Sequence, residues 1–264
     1  MISQTISIII ISYNNLALTK TCLQSIFKNT HFHNYEIILV DNASDQATRD
    51  YLETLEKNDD RVNVVFNQKN LGFAKANNQG ARFAAGEYFV FLNNDTIVSN
   101  GWLSRLHAHL KNIPDAGMVG PVTNAIGNEA KVPVNYTEPT IEAINQFATY
   151  RAEKYAGQFF QIKNLALYCC MISRLLFEQV GGLDERYHIG MFEDDDLAMK
   201  IKLRGLKLYC VEDVFIHHFH GASFNQLSKL KRMVLFQINK FKYERKWHTK
   251  WIPHQTRQND QYEY

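Results

Sequence analysis

The sequence lacks the features that define several common protein classes. It has no apolar run approaching the ~20 residues that a membrane-spanning helix needs. The apolar stretch at residues 6–11 has no Lys or Arg before it, so we interpret it as a strand and not as a signal peptide. The 29 basic and 27 acidic residues leave a net charge of only +2, which gives no global attraction for nucleic acid.

Two kinds of cofactor motif are also missing. The 4 cysteines show no CxxC spacing, which suits neither a zinc site nor a disulfide framework, so we expect reduced core thiols in a cytoplasmic protein. No GxGxxG turn follows the first apolar stretch, and no GxxxxGK loop is present. A nucleotide must therefore be held by other means, such as a metal ion that bridges its phosphates.

The first hundred residues alternate between short, β-branched apolar runs and amphipathic stretches. We predict strands at 5–11, 36–40, 62–66 and 88–92, with helices at 16–28, 45–57 and 72–85. Further on, we predict a helix at 138–155, strands at 165–173 and 207–211, and a long C-terminal helical segment. The alternation indicates an α/β fold with an open, mostly parallel sheet flanked by helices, and 121–161 is interpreted as an irregular insertion on the substrate side.

Each of the first four predicted strands ends in polar residues rich in Asn and Asp. These residues are Tyr13, Asn14, Asp41, Asn42, Asn67, Asn70, Asn93, Asn94 and Asp95. Ligands of open α/β sheets bind beyond the carboxyl ends of the strands. Four such ends in succession therefore predict one polar cleft at that edge of the sheet.

A run of four acids at 193–196 is the most informative feature of the second half. Adjacent carboxylates repel each other and are costly to desolvate, so a fold tolerates them best where a cation or a proton in transit stabilises them. The run also begins a predicted helix that ends near Gly205, and acids in a first helical turn interact well with the helix dipole. The residues alone leave both interpretations open, a functional site and a charged helix terminus.

Six stretches that occur in a fixed order carry a family resemblance. They are 7–14 (SIIIISYN), 36–44 (EIILVDNAS), 70–80 (NLGFAKANNQG), 86–96 (GEYFVFLNNDT), 181–197 (GGLDERYHIGMFEDDDL) and 218–224 (HFHGASF). The set resembles the family 2 glycosyltransferases of the GT-A fold, particularly the bacterial, rhamnosyltransferase-like branch that builds surface polysaccharides. The resemblance implies a GT-A catalytic domain at 1–225, with a nucleotide-sugar-binding half at 1–120 and an acceptor and catalytic half at 121–225. A basic helical segment at 226–264 follows.

The resemblance implies a donor site in the first half of the chain. Tyr13 and Asp41 would hold the nucleobase and ribose, and Lys75 could meet phosphate as a point charge. A turn cap is the alternative for Asp41, and a solvated helix face is the alternative for the residues of 70–80. The full implied donor-binding set is Tyr13, Asn14, Asp41, Asn70, Lys75, Asn77, Asn93, Asn94 and Asp95.

Asp95 corresponds to the metal-binding carboxylate of the family's DxD signature. Here Asn93 stands where many members have Asp, and Thr96 replaces a frequent following Asp, so one carboxylate remains. The resemblance implies that Mn²⁺ or Mg²⁺ is held by Asp95, the diphosphate of the donor and His218. A core or capping role is the alternative for His218. We expect His217 and His220 to be structural or to face the acceptor.

The resemblance also gives the acidic run a role in inverting transfer. It places the catalytic base at Asp194, which would take the proton of the acceptor hydroxyl as that oxygen attacks the anomeric carbon. Glu193 and Asp196 would bind acceptor hydroxyls or shape the field at the base, while Asp195 points elsewhere. Gly182 would let the backbone approach the donor or the acceptor closely.

The C-terminal segment is strongly basic, with eight Lys and Arg residues between 229 and 250 against a single Glu. Apolar and aromatic residues are interleaved with them. The stretch at 226–252 is either a membrane-surface helix, which would suit an acceptor on a polyprenyl diphosphate lipid, or a helix packed on the catalytic domain. The two interpretations are compatible. Nothing in it resembles a known nucleic-acid-reading module.

We therefore expect a metal-dependent, inverting glycosyltransferase that moves a sugar from a dTDP- or UDP-sugar to a hydroxyl of a glycan or lipid-linked glycan. The expected location is the cytoplasm, with peripheral contact at the inner face of the cell membrane if 226–252 binds lipid. One alternative is a noncatalytic glycan- or sugar-nucleotide-binding module of the same fold, which the missing acid at Asn93 favours. The other is a nucleotidyltransferase, but residues 13–15 supply no glycine-rich basic loop.

Overall fold

The structure, a computed structural model, describes residues 5–32, 34–187, 189–219 and 228–257. Its first half forms four strands and three connecting helices. They are β1 (Ile6–Ser12), α1 (Leu16–Asn29), β2 (Tyr35–Asp41), α2 (Gln46–Asn58), β3 (Val62–Phe66), α3 (Phe73–Phe83) and β4 (Tyr88–Asn93). β1 pairs in parallel with β2 and β4, and β2 pairs in parallel with β3, which confirms the predicted parallel arrangement of this half.

The second half extends the same sheet with mixed pairing. Its elements are β5 (Thr96–Val98), α4 (Trp102–Asn112), β6 (Ala116–Val122), α5 (Ile141–Lys154), β7 (Phe159–Ile162), β8 (Cys169–Ser173), α6 (Arg174–Gln179), α7 (Glu193–Lys202), β9 (Lys207–His218) and α8 (Lys229–Trp247). The strand order is β3-β2-β1-β4-β8-β6-β9-β5, with β7 on β9. β8 runs antiparallel to β4 and β6, so the open α/β sheet is parallel in its first half and mixed in its second.

The central strand is buried on both faces, as its uninterrupted apolar sequence predicts. Ile9 packs into one layer of the core, while Ile8 and Ile10 pack into the other layer with Trp102. Gly80 lets α3 lie directly on the sheet, because a Cβ at this position would be 2.5 Å from the Ile9 side chain. The four cysteines are buried and form no disulfide, as expected.

The predicted strand at 207–211 continues as β9 to His218. Glu212 and Asp213 interrupt its apolar pattern, but each has a partner from another element. Arg151 of α5 lies 2.7 Å from Glu212, and His109 of α4 lies 2.8 Å from Asp213. Paired in this way, the two acids are tolerated near the core. The extension is what carries the two histidines at the end of β9 into the sheet.

The helix α8 packs its inner face against the loop before α7. Asn239 is fully buried and donates to the carbonyl of Gly190 at 2.9 Å, and the Tyr243 ring contacts Phe192 with 5.7 Å between centroids. Among the described residues, no helix has the length and apolar character needed to cross a bilayer. His220 and the parts of the predicted C-terminal segment at 226–227 and 258–264 lie outside the described residues.

Candidate active site

The parallel register aligns the polar strand ends at one edge of the sheet. Ser12 of β1 lies opposite Asp41 of β2, and Asn93 of β4 lies opposite Ile11. The loops after β1 and β2 are joined there, since the backbone NH of Asp45 donates to Asn14 Oδ1 at 2.8 Å. The structure thus brings together the first two predicted donor-binding loops.

Asp41 is fully buried, and its carboxylate caps the turn that follows β2. Its carboxylate accepts from the backbone NH of Ser44 at 3.2 Å, and Arg49 Nε lies 3.9 Å away. The side-chain hydroxyl of Ser44 accepts from the backbone NH of Asn14 at 2.9 Å. Asp41 therefore has the capping contact that the sequence left as its alternative. That contact fixes the carboxylate at the carboxyl end of β2.

Side-chain amides order the segment between β3 and α3. Asn42 Oδ1 accepts from the backbone NH of Leu71 at 2.8 Å, and Asn42 Nδ2 donates to Asn70 Oδ1 at 2.9 Å. Asn77 is buried and donates to the carbonyl of Phe73, one turn earlier in its own helix, at 3.0 Å. Of the predicted residues here, Asn70 and Lys75 are exposed, whereas Asn77 is buried.

The turn after β4 orients the single remaining carboxylate. Asn94 is buried and donates to the Thr19 hydroxyl of α1 at 2.9 Å, which anchors the turn to that helix. The backbone NH of Asn93 donates to the carbonyl of Tyr168 at 2.8 Å. Asp95 follows, with only 6% of its surface exposed. Asn94 thus holds the turn through its buried amide.

Asp95 and His218 meet because β5 pairs antiparallel with the end of β9. Thr96 lies opposite His218 in the register, and the backbone NH of Phe219 donates to the carbonyl of Asp95 at 2.9 Å. The side chains follow the same proximity, with 3.3 Å between Asp95 Oδ1 and His218 Nε2. Residues far apart in the chain and predicted to bind one ion therefore lie side by side.

The His218 ring is oriented by a hydrogen bond from its Nδ1, so that its Nε2 faces Asp95. His218 Nδ1 lies 3.2 Å from the carbonyl oxygen of Ala125, and a carbonyl can only accept. We therefore assign a proton to Nδ1, which leaves Nε2 as the ring nitrogen that can bind an ion. The Tyr168 ring stacks on the imidazole at 5.1 Å between centroids and holds its plane. This is the arrangement by which proteins orient a metal-binding histidine.

The pair fits a divalent cation but does not complete a coordination sphere. Asp95 Oδ1 is buried and has no hydrogen-bond partner within the described ranges, so a carboxylate oxygen is available to an ion. Across those same ranges, no group of three or more His, Cys, Asp or Glu side chains forms a metal site. If Asp95 and His218 fill two coordination positions of a divalent cation, its other positions are left to a bound substrate or to water.

The neighbouring His217 has a different environment. Its Nδ1 is hydrogen-bonded to the Tyr136 hydroxyl at 2.6 Å. Burial, assisted by the adjacent His218, lowers the pKa of His217 to about 4. The ring is therefore neutral near pH 7 and is held by a tyrosine that itself packs on Phe147 and Phe215. His217 has the structural environment expected of it.

A strained loop leads into the acidic run. Ile189, Met191 and Phe192 all have positive φ, at 71°, 75° and 77°. Such conformations are costly for branched or bulky residues and occur where the surrounding structure imposes them, often at functional sites. α7 begins at the next residue, and the carbonyl of Phe192 accepts from the backbone NH of Asp196 at 2.9 Å.

The first two acids of α7 both hold protons more tightly than ordinary carboxylates. Burial, followed by the charge of Asp194, raises the pKa of Glu193. Burial, followed by the charge of Asp195, raises the pKa of Asp194, although the backbone NH of Asp195 donates to Asp194 Oδ1 at 2.9 Å. Glu193 is buried while Asp194 is partly exposed. Asp194 is therefore a partly exposed residue whose carboxylate has enhanced basicity.

Asp196 is fully buried and is bound from the C-terminal helix. Its Oδ1 lies 2.5 Å from Lys246 Nζ and accepts from the indole NH of Trp247 at 2.9 Å. Tyr187 and Lys200 lie at 3.3 and 3.4 Å from the carboxylate. Asp196 thus anchors α8 beside the acidic run. The predicted contact with acceptor hydroxyls gains no support from this environment.

Gly182 lies away from the strand-end cleft. It has φ of +62°, and a Cβ there would be 2.8 Å from the Asn78 amide, which brackets the turn by bonding both the NH and the carbonyl of Leu183. The turn borders a cavity of 790 Å³ whose lining includes Phe89, near the amino end of β4. The glycine therefore permits a close approach to α3, at the end of β4 opposite to Asn93.

The structure adds residues that the sequence did not single out. His254 lies 3.4 Å from Asp195 Oδ1 and 3.4 Å from Asn164 Nδ2, so the chain beyond α8 reaches the acidic run. Nothing in the local sequence around His254 marks it. Asn124 holds the backbone of His218 through two hydrogen bonds, of 2.8 and 3.1 Å. For Asn42, the sequence showed its position at a strand end but not its hydrogen bonds to the segment before α3.

The sheet order and the strand-end site together define a nucleotide-sugar transferase fold of the GT-A type. A solved structure of GalNAc-T7 with UDP, GalNAc and Mn²⁺ matches this chain with a TM-score of 0.66. The match covers 82% of this chain and 44% of that one at 19% sequence identity, a likeness that shows the fold alone.

The chain belongs to glycosyl transferase family 2, whose family model matches residues 7–181. It is 28% identical over 223 residues to the GalNAc(5)-diNAcBac-PP-undecaprenol beta-1,3-glucosyltransferase of Campylobacter jejuni, which covers 83% of this chain and 69% of the relative. It is 26% identical over 226 residues to the O-antigen biosynthesis protein RfbC of Myxococcus xanthus, covering 83% of this chain and 17% of that protein. The chain spans 17% to 35% of the length of four of its curated relatives.

Proposed function

We propose that this chain transfers a sugar from a nucleotide-diphosphate donor to a hydroxyl of a glycan, with inversion at the anomeric carbon. The observation that carries the proposal is the meeting of Asp95 and His218 at the edge of the sheet where open α/β folds bind ligands. Membership of glycosyl transferase family 2 and a relative named as a glucosyltransferase support the same class of reaction.

The donor lies in this proposal along the carboxyl ends of β1, β2 and β4. Tyr13 and Asp41 hold the nucleobase and ribose, and the exposed Lys75 meets phosphate. Asn14, Asn70 and Asn93 border the same cleft, while Asn77 and Asn94 shape it from inside through their buried amides. The candidate nucleotides are dTDP and UDP.

Asp95 Oδ1 and His218 Nε2 are the groups that would hold a divalent cation, Mn²⁺ or Mg²⁺, with the diphosphate of the donor. An imidazole ligand suits Mn²⁺ better than Mg²⁺. Such an ion, when bound, neutralises the charge that develops on a departing diphosphate. The GalNAc-T7 structure, which contains both UDP and Mn²⁺, supports this arrangement by analogy.

Asp194 is the proposed base. The acceptor oxygen bonds to the anomeric carbon as the bond to the diphosphate breaks, and its proton passes to the Asp194 carboxylate. A raised pKa makes Asp194 a stronger base than an ordinary aspartate, which favours proton transfer from a hydroxyl. Besides burial, the charge of Asp194 in turn raises the pKa of Glu193, the residue before it in α7.

The proposed acceptor is a glycan carried on a polyprenyl diphosphate, used at the inner face of the cell membrane. The Campylobacter jejuni relative, whose name includes a PP-undecaprenol glycan, supports this choice. The second candidate is a noncatalytic module that binds a glycan or sugar nucleotide. Asn93 favours it, because this residue leaves the turn after β4 with one carboxylate.

Replacing Asp194 by Asn distinguishes the two candidates. We expect the transfer rate, followed by mass spectrometry of a lipid-linked acceptor, to fall by about 10²–10⁴-fold, the usual contribution of a general base. Nucleotide binding should remain unchanged, because the substitution leaves the donor cleft intact. Asp60→Asn, on an exposed turn, is the control. A wild-type protein that binds nucleotide but transfers no sugar from any donor would favour the binding module.

A further inference from the structure

The helix α8 has two apolar faces, of which the domain covers one. Its inner face packs on the domain through Asn239, Tyr243 and Trp247, the last of which donates to Asp196 at 2.9 Å. Its outer face keeps a second set of large apolar side chains exposed. They are Leu230 at 69%, Met233 at 57%, Val234 at 51%, Ile238 at 49% and Phe241 at 63% exposure.

The exposed set forms a stripe on one face of the helix, which by helical position only Gln237 interrupts between Leu230 and Phe241. At 3.6 residues per turn the five side chains occupy an arc of roughly 140°, opposite to Asn239 and Tyr243. From Leu230 to Phe241 the stripe is about 16 Å long at the usual helical rise. Single exposed apolar residues are ordinary on a protein surface, but five large ones on one face of a helix mark an interaction site.

Cations border the stripe on both sides. By helical position, Lys231 and Lys242 lie along one flank, and Lys229 and Lys240 lie along the other. Lys229 and Lys231 are exposed near the start of the helix, and Arg245 is exposed near its end. Glu244 is the one acid of α8, and it lies 3.8 Å from Lys240. The outer face is therefore mainly apolar between Leu230 and Phe241, with Gln237 and Glu244 as polar residues in the same arc and lysines along both edges.

We propose that this outer face of α8 binds the surface of an anionic lipid bilayer. The apolar stripe enters the headgroup boundary, while the exposed Lys229 and Lys231 extend to lipid phosphates. A second copy of the chain fits the surface less well, because pairing two such faces would bring the lysine flanks together. An anionic headgroup layer complements the charge that a second copy would repel.

The inner contacts of α8 place its outer face near the proposed catalytic base. Lys246 and Trp247 hold Asp196, which lies two residues from Asp194 in the same helix. A bilayer bound to the outer face is therefore kept close to the acidic run. The inference rests on the proposed function for its purpose, to bring the base near a lipid-linked acceptor, but its test requires no sugar transfer.

Sedimentation of the full chain with vesicles tests the proposal. We expect binding to phosphatidylcholine vesicles that contain phosphatidylglycerol and much weaker binding to phosphatidylcholine alone. The double variant Leu230→Ser/Phe241→Ser should bind the anionic vesicles at least roughly tenfold more weakly. The double variant Lys229→Gln/Lys231→Gln should lose roughly fivefold per lysine at low salt.

A matched control separates the stripe from general surface hydrophobicity. Phe83 and Leu203 are exposed at 61% and 71%, close to the values of Leu230 and Phe241, and lie at the end of α3 and directly after α7. Phe83→Ser/Leu203→Ser should bind vesicles as the wild type does. Equal losses in both double variants, or no preference for anionic vesicles, would overturn the proposal. So would a dimer in sedimentation velocity that Leu230→Ser/Phe241→Ser abolishes, which would assign the face to a second copy.

The vesicle result is independent of the catalytic proposal. Titrating a nucleotide into Leu230→Ser/Phe241→Ser should give the wild-type affinity, since the stripe is distant in the chain from the donor loops. Vesicle binding without nucleotide binding would refute the proposed function and retain the lipid surface. Nucleotide binding without vesicle binding would do the reverse.

Discussion

At the scale of single residues, the acidic run shows how neighbours determine what a carboxylate can do. Asp194, Asp195 and Asp196 are adjacent in the chain but have different partners. Asp196 is bound by Lys246 and Trp247, Asp195 faces His254, and Asp194 is partly exposed. Asp194 and Asp195 are both partly exposed, but Asp195 is paired with a histidine, and burial is the main reason that the pKa of Asp194 is raised. Position within the run therefore separates the proposed base from its structural neighbours.

The raised pKa of Asp194 predicts a pH dependence. A base acts when deprotonated, so kcat/KM should fall as the pH drops through its pKa. That pKa lies above the ordinary aspartate value. Asp195→Asn removes the neighbouring negative charge that contributes to this raised pKa and should move the acidic limb to lower pH. The profile of kcat/KM against pH in both proteins measures the shift. A limb that stays in place in Asp195→Asn would contradict this contribution of the Asp195 charge.

Glu193 also predicts a pH-dependent stability. A carboxyl whose pKa is raised by folding stabilises the folded state below the unfolded pKa, and that stability is lost as the pH rises through the folded pKa. Glu193→Gln, which cannot ionise, should therefore gain stability over the wild type at pH 9 and little at pH 4. Urea denaturation at the two pH values tests the sign. A gain that is larger at pH 4 would refute the assignment.

At the scale of elements, α8 is joined to the domain by buried charge. Lys246 Nζ bridges Asp196 at 2.5 Å and Asp184 at 2.7 Å. Burial alone would raise the pKa of Asp184, but hydrogen bonds from Arg186 and Lys246 hold it well below its usual range. The helix and the turn before α7 therefore share one ion-pair network.

Removing the lysine should destabilise the protein strongly. Lys246→Met leaves Asp196 buried with one cation fewer, and breaking such a pair costs about 3–5 kcal/mol. Lys250→Met, on an exposed residue just beyond α8, is the control and should change stability by less than about 0.5 kcal/mol. Urea denaturation near pH 7 measures both. Equal effects of the two substitutions would show that the network does not hold α8.

The packing of α3 on the sheet makes a second prediction at this scale. Gly80→Ala would place a Cβ 2.5 Å from Ile9 in the centre of the sheet, so the helix or the strand must shift. Overpacking of this kind costs about 1–3 kcal/mol. Gly127, where a Cβ meets nothing within 4 Å, provides the matched alanine control. The comparison is made from denaturation midpoints. A neutral Gly80→Ala would contradict the close contact.

At the scale of the whole molecule, the sequence predicted what short-range patterns encode. β1 and β2 were found because they are apolar on both faces, and the polar strand ends followed from their position. The length of β9 was missed because Glu212 and Asp213 depend on Arg151 and His109 from other elements. The contact of His254 with Asp195 was missed for the same reason. Asp95 and His218 were paired through the family resemblance, since no local pattern connects them.

The most direct test of the account is a calorimetric titration of UDP, dTDP and GDP, with and without Mn²⁺, into three proteins. These are the wild type, His218→Gln and the neighbouring control His217→Gln. The account predicts Mn²⁺-dependent binding of one nucleotide by the wild type, its loss in His218→Gln and its retention in folded His217→Gln. Failure of the folded wild type to bind any of the three nucleotides would contradict it, as would undiminished Mn²⁺-dependent binding in His218→Gln.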